Sequence, residues 1–133
     1  MAQSVDDLNA FLDTVLAAEG LTPDRMVLVG FSQGTMMALH VAPRRDAAVA
    51  GIVGFSGRLL VPELLAEVRV RPPVLLIHGD QDQMVPYADM GLAEGALKAA
   101  GFAVGTHTMP QTGHGISPDG LGAALGFIQS VLG

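Results

Sequence analysis

Apolar positions along the chain fall into two alternating patterns, short solid runs and longer stretches at helical spacing. Near the start, Val5, Leu8, Leu12, Val15 and Leu16 recur on one face of a predicted helix. Ser4 with Asp7 can cap that helix, and Gly20 ends it. Four runs read as strands, at residues 26–30, 50–55, 74–77 and 103–109. The first three are apolar throughout, as expected of strands covered on both faces. The fourth is mixed and stops at Pro110, which suits a sheet edge. Helices are predicted over 35–42 and about 88–100, the second closed by Gly101. A last helix starts at Ser117-Pro118, a cap followed by proline at the first helical position. Leu121, Leu125, Ile128 and Leu132 are its expected inner face. Repeated strand–helix alternation argues an α/β fold of about four parallel strands with flanking helices. At 133 residues, 1–133 reads as a single domain. The least regular stretch is 57–72.

The first strand runs directly into Gly30-Phe31-Ser32-Gln33-Gly34, and a helix-forming run follows. G-x-S-x-G between a strand and a helix is the pattern of a nucleophile elbow, a sharp turn that exposes a serine hydroxyl above the sheet. Side chains at Gly30 and Gly34 are expected to strike the neighbouring helix and strand. An attacking serine needs a base, and the base needs an orienting carboxylate. The third strand opens into His78-Gly79-Asp80-Gln81-Asp82, and the fourth into Gln111-Thr112-Gly113-His114-Gly115. Ser32, Asp82 and His114 therefore each lie just past the C-terminal end of a strand, where open parallel sheets place their ligands. Asp80 competes with Asp82 for the acid role. A bland reading exists for each position: a turn serine, a turn or cap aspartate, an exposed loop histidine. His40, His78 and His107 read as structural. No histidine has metal-ligand spacing and the chain has no cysteine, so no metal site is expected.

Composition narrows the function classes. The net charge of −6 argues against nucleic acid and against anionic membranes. Half the residues are hydrophobic, yet no apolar run approaches the ~20 residues needed to cross a bilayer. Something other than lipid should cover the excess apolar surface. The first residues carry Asp6 and Asp7 where a signal peptide is basic, so a cytoplasmic protein is expected.

The GFSQG elbow, the loop His78-Gly79-Asp80-Gln81-Asp82 with Val85-Pro86, Gly113-His114, and Ser56-Gly57 after the second strand resemble the phospholipase/carboxylesterase family of α/β-hydrolases, which includes the acyl-protein thioesterases. The resemblance spans about residues 1–133. It implies hydrolysis of carboxylic esters, thioesters or lysophospholipids without a cofactor. It selects Asp82, not Asp80, as the carboxylate, and the backbone N–H of Gln33 as an oxyanion donor. Family members carry several strands before the elbow and a glycine-rich loop that gives a second donor. No such segment precedes residue 25, so the resemblance implies a truncated α/β-hydrolase. Leu59, Leu60 and Val61, with Leu64 and Leu65, are candidates for an acyl pocket or equally for a helix packing on the core. The alternative function is a weak or inactive remnant acting as a dimerising or ligand-binding module. Without its usual neighbour, strand 26–30 should be a sheet edge, and a homodimer is expected through it, the first helix or the helix bearing Met36-Met37.

Overall fold

The computed structural model of the chain describes residues 2–59 and 67–133, with side chains from residue 5 onward. Helix α1 (Ala2–Glu19) leads to β1 (Val27–Phe31), α2 (Gln33–Val41), β2 (Gly51–Phe55), β3 (Val74–Gly79), α3 (Ala88–Ala99), β4 (Val104–Met109) and α4 (Pro118–Leu132). The strands form one parallel sheet in the order β1-β2-β3-β4. The expected strands are all present, with ends shifted by one or two residues. Both β1 and β4 are edges, as the sequence reading required.

Helix ends follow local chemistry. Gly20 takes a positive φ of 64°. There its N–H bonds the Ala17 carbonyl while the Leu21 N–H reaches back to Leu16. Gly101 repeats this at φ 96°, with Gly101 bonded to Lys98 and Phe102 to Leu97. Both are left-handed caps that satisfy carbonyls a helix end leaves open. Ser117 caps α4 by accepting from the Gly120 N–H at 3.3 Å. Helix α1 already begins at Ala2, so Ser4 lies inside its first turn and is not the cap expected of it.

Alternate residues of the central strands feed two cores. Ile52, Val74 and Leu76 face α2 and α3, packing with Leu39, Ala93 and Leu97. Val53, Phe55, Leu75 and Ile77 face the other way, onto Met109 of β4 and Ala124 of α4. Every residue of β2 and β3 is buried. β1 departs from that expectation: Val29 is 56% exposed and Phe31 39%. Helix α4 lies mainly over β2, β3 and β4, so of the outer face of β1 only Val27 packs against that core, while Val29 stays exposed.

Helix α4 keeps Ile128 of its expected inner face but turns Leu121 and Leu125 outward. Its buried residues are Gly120 and Ala124, flanked by the partly buried Ala123, Phe127 and Ile128. Leu121 and Leu125 are half exposed. The reason is close approach: a Cβ on Gly120 would sit 2.5 Å from the Met109 sulfur. The small residues let the helix settle on β4 and turn the leucines outward. No described helix is long and apolar enough to cross a membrane. Replacing Leu97, fully buried, by alanine should lower the unfolding free energy by about 2–5 kcal/mol. Leu125→Ser should stay within about 0.5 kcal/mol in the same urea titration. A large loss at Leu125 would mean that the leucine face is the packed one.

Candidate active site

The turn from β1 into α2 leaves no linking loop, because β1 ends at Phe31 and α2 begins at Gln33. Ser32 therefore absorbs the whole reversal, at φ 55° and ψ −114°. Such a backbone costs about 1–3 kcal/mol and persists only where its surroundings fix it. The Phe55 carbonyl is the main fixture. It accepts the Ser32 N–H at 2.9 Å and the Thr35 hydroxyl, itself buried, at 2.7 Å. The helix start passes so near β1 that a Cβ on Gly30 would lie 2.5 Å from the Thr35 nitrogen. The expectation for Gly30 holds. That for Gly34 does not, since a Cβ there meets nothing within 4 Å. Gly34 instead borders a groove of about 380 Å³ between α1, β1 and α2, lined by residues such as Phe11, Val29 and Met37. That groove lies along the β1 edge, which pairs with no further strand among the described residues.

The loops after β3 and β4 bring two further side chains to Ser32. His114 Nε2 lies 3.0 Å from Ser32 Oγ, and its Nδ1 lies 2.8 Å from Asp82 Oδ2. An ionised carboxylate only accepts hydrogen bonds, so Nδ1 carries the proton and the bare Nε2 accepts from the serine hydroxyl. Asp82 Oδ1 accepts the Met84 and Val85 N–H groups, both at 2.9 Å. The Asp82 side chain is fully buried. Burial pushes its pKa up, but the bonds from His114, Val85 and Met84 outweigh that and hold it below the ordinary aspartate value. The Phe31 ring packs 4.9 Å from the His114 ring at 46° and limits its rotation.

The same strand ends explain the rival residues. Asp80 points away from Ser32 into the turn, where Oδ1 accepts the Gln111 N–H at 2.8 Å and supports that residue's positive φ. Gln81 N–H bonds the Thr112 carbonyl, so the acid turn and the histidine loop are tied directly. Gly79 makes the contact possible: a Cβ there would be 2.2 Å from the Thr112 oxygen and 2.4 Å from that of Gly113. His107 pairs with Asp119 at 2.7 Å, outside this cluster. Among the described residues no group of His, Asp or Glu could hold a metal ion.

Gln33 opens α2, where first-turn N–H groups lack intrahelical partners, and its amide directly follows Ser32. Leu59 packs partly buried against the α2–α3 core, beside a hollow of about 100 Å³ that Arg58, Asp89 and Leu92 also line. Leu60 and Val61, with Leu64 and Leu65, lie outside the described residues. Sequence reasoning missed Thr35 and the ring contact of Phe31. Their roles depend on distances across the fold, although Thr35 at the third helical position after an elbow is a signal of sorts.

Comparison with known proteins identifies the family. Residues 1–132 match the family described as Phospholipase/Carboxylesterase. Acyl-protein thioesterase 1 of Gibberella zeae is 34% identical over 120 residues, covering 85% of this chain and 51% of that protein. Lysophospholipase-like protein 1 of Mus musculus is 29% identical, covering 84% and 50%. The crystal structure of esterase PE8 superposes with a TM-score of 0.91 at 42% identity, over 94% of this chain and 59% of that one. Arabidopsis thaliana SOBER1 gives 0.91 at 26% identity, over 99% and 64%. The chain thus spans about half the length of the curated relatives it matches.

The two glycines should answer differently to a methyl group. Gly79→Ala should cost about 1–3 kcal/mol in urea unfolding, because backbone on both sides must move. Gly34→Ala should be neutral or stabilising by up to about 1 kcal/mol, as expected of an open helical position. Equal losses at both sites would contradict this account of the elbow.

Proposed function

The chain belongs to the phospholipase/carboxylesterase family, and from that premise we propose that it is a serine hydrolase that cleaves carboxylic esters or thioesters through an acyl-enzyme. The observation that carries the reading is the unbroken hydrogen-bonded line from Ser32 through His114 to Asp82. In the proposed cycle His114 Nε2 takes the Ser32 proton as Oγ attacks the substrate carbonyl. Asp82 keeps the Nδ1 proton in place and stabilises the imidazolium. The Gln33 N–H, at the positive end of α2, stabilises the oxyanion. His114 then gives its proton to the leaving alcohol or thiol. Water, deprotonated by the same nitrogen, releases the acid. Thioesters enter the proposal through the thioesterase relatives, and lysophospholipid-like esters through the lysophospholipase-like one. Short-chain acyl esters and lysophospholipid-like esters are the proposed substrates, and the Leu59 region is the proposed acyl side. No cofactor enters any step. A cytoplasmic setting fits a chain without cysteine, and a substrate other than nucleic acid fits a net charge of −6.

Ser32→Ala and His114→Ala should each lower kcat on a short p-nitrophenyl ester by about 10⁴-fold or more, with the double variant little worse than either. Asp82→Asn should cost orders of magnitude, since an amide favours the wrong imidazole tautomer. Asp80→Asn should cost far less. Full activity in Ser32→Ala ends the hydrolase reading, and the reverse order of the aspartates assigns the acid to Asp80.

The proposal extends to assembly. Val29 and Phe31 are exposed on an edge strand, and Phe11 beside the groove is 63% exposed. An uncovered apolar edge favours pairing with a second copy, most simply as a two-fold dimer. A partner seated there could supply a further oxyanion donor near Ser32. Light scattering at micromolar concentration should give about twice 13.7 kDa, and a monomer would overturn the dimer.

A further inference from the structure

One buried histidine has no part in the cycle above. His78 lies in β3 and is 1% exposed. Its Nε2 is 2.8 Å from the Val85 carbonyl oxygen. A carbonyl only accepts, so Nε2 carries a proton. The same nitrogen lies 3.4 Å from Asp82 Oδ2, the oxygen that His114 Nδ1 binds. Val85 is therefore clasped from both sides: its N–H by Asp82 Oδ1, its carbonyl by His78. Oδ2 in turn has one imidazole on each side. The outer end of the clasp is fixed too. Tyr87 packs edge-on against the His78 ring at 6.1 Å, and its hydroxyl bonds Thr108 of β4 at 2.6 Å. The carboxylate is thus set by a ring of contacts rooted in two strands, although Asp82 itself sits in a turn.

We propose that His78 is a positioning residue: its Nε2–H closes the Asp82–Val85 turn and fixes the carboxylate that orients His114. A core histidine that only fills space would need no protonated Nε2 at this spot, and a leucine could replace it without kinetic effect. The proposal has a distinct chemical consequence. The His78 Nε2–H bonds the Val85 carbonyl and lies 3.4 Å from Oδ2, so it holds the turn whose Val85 N–H fixes the Asp82 carboxylate toward His114. Losing it frees the turn, and a displacement on the scale of an ångström at a reacting group costs on the order of 100-fold in rate. Because substrate contacts are untouched, the loss belongs in kcat and not in KM. The kinetic half rests on the serine-hydrolase reading, whereas the location of the proton does not.

The test begins with wild-type protein labelled with ¹⁵N at histidine. A one-bond ¹H–¹⁵N correlation is expected at Nε2 of one buried imidazole, absent in His78→Gln. A bare Nε2 at His78 overturns the proposal, whether or not the protein hydrolyses esters. Kinetics follow on variants shown to be folded by thermal melting. His78→Leu should lower kcat about 10- to 100-fold with KM changed by less than about two-fold. His78→Gln places an amide N–H near the position of Nε2 and should stay within about five-fold of wild-type kcat. In an Asp82→Asn background, His78→Leu should add little, because both changes act through one carboxylate. Wild-type kcat in His78→Leu, or a loss in folded His78→Gln as large as in His78→Leu, overturns the proposal. So does full additivity with Asp82→Asn. If His78→Leu does not fold, His78→Gln and the proton signal still decide. An inactive wild-type enzyme with the proton on Nε2 would count against the hydrolase reading and leave the assignment of His78 standing.

Discussion

Ser32 is the point on which the molecule turns. A strand ends and a helix begins with a single residue between them, and that residue must take a positive φ. The cost is met by neighbours that are themselves constrained. The Phe55 carbonyl accepts two hydrogen bonds from the elbow, and Gly30 leaves room for the helix to cross β1. Thr35 is buried among these contacts. The strain is local, but the apparatus that holds it runs through two strands and a helix. The serine hydroxyl is thereby fixed to the most rigid part of the fold, not to a loop.

His114 and Asp82 reach Ser32 through a different constraint, the close crossing of two loops. The turn after β3 and the loop after β4 are joined by Gln81 to Thr112 and by Asp80 to Gln111. They can approach this closely only because residue 79 has no side chain. Asp80 and Asp82 thus divide one task. Asp80 fastens the loops together, and Asp82 directs the imidazole. Burial alone would make Asp82 a poor anion, and three hydrogen bonds reverse that preference. The fold buries a carboxylate and supplies the donors that keep it charged.

Much of this was legible in the sequence, for identifiable reasons. Solid apolar runs mark β2 and β3 because both faces of those strands are covered, and the glycines at 20 and 101 mark helix ends because only a left-handed residue closes them. Ser32, Asp82 and His114 stood out because each follows a strand and their chain order suits one geometry. What failed had physical causes as well. Leu121 and Leu125 of α4 promised part of an inner face, but close approach to Met109 favours Gly120 and Ala124 there. β1 is as apolar as its neighbours, yet a run of residues says nothing about which element covers it. Gly34 fits the elbow pattern without a steric need for it here. His78 reads as structural in the sequence, and its position against Asp82 depends on a turn closing over it, which linear order does not reveal.

The central claim is that Ser32 is a nucleophile activated by His114. It is tested most directly by treating the protein with a fluorophosphonate and locating the adduct by mass spectrometry. The account predicts one covalent phosphonyl group on the peptide containing Ser32, formed rapidly in wild type and hardly at all in His114→Ala. A folded protein whose Ser32 stays unmodified, or is modified equally fast without His114, would contradict it.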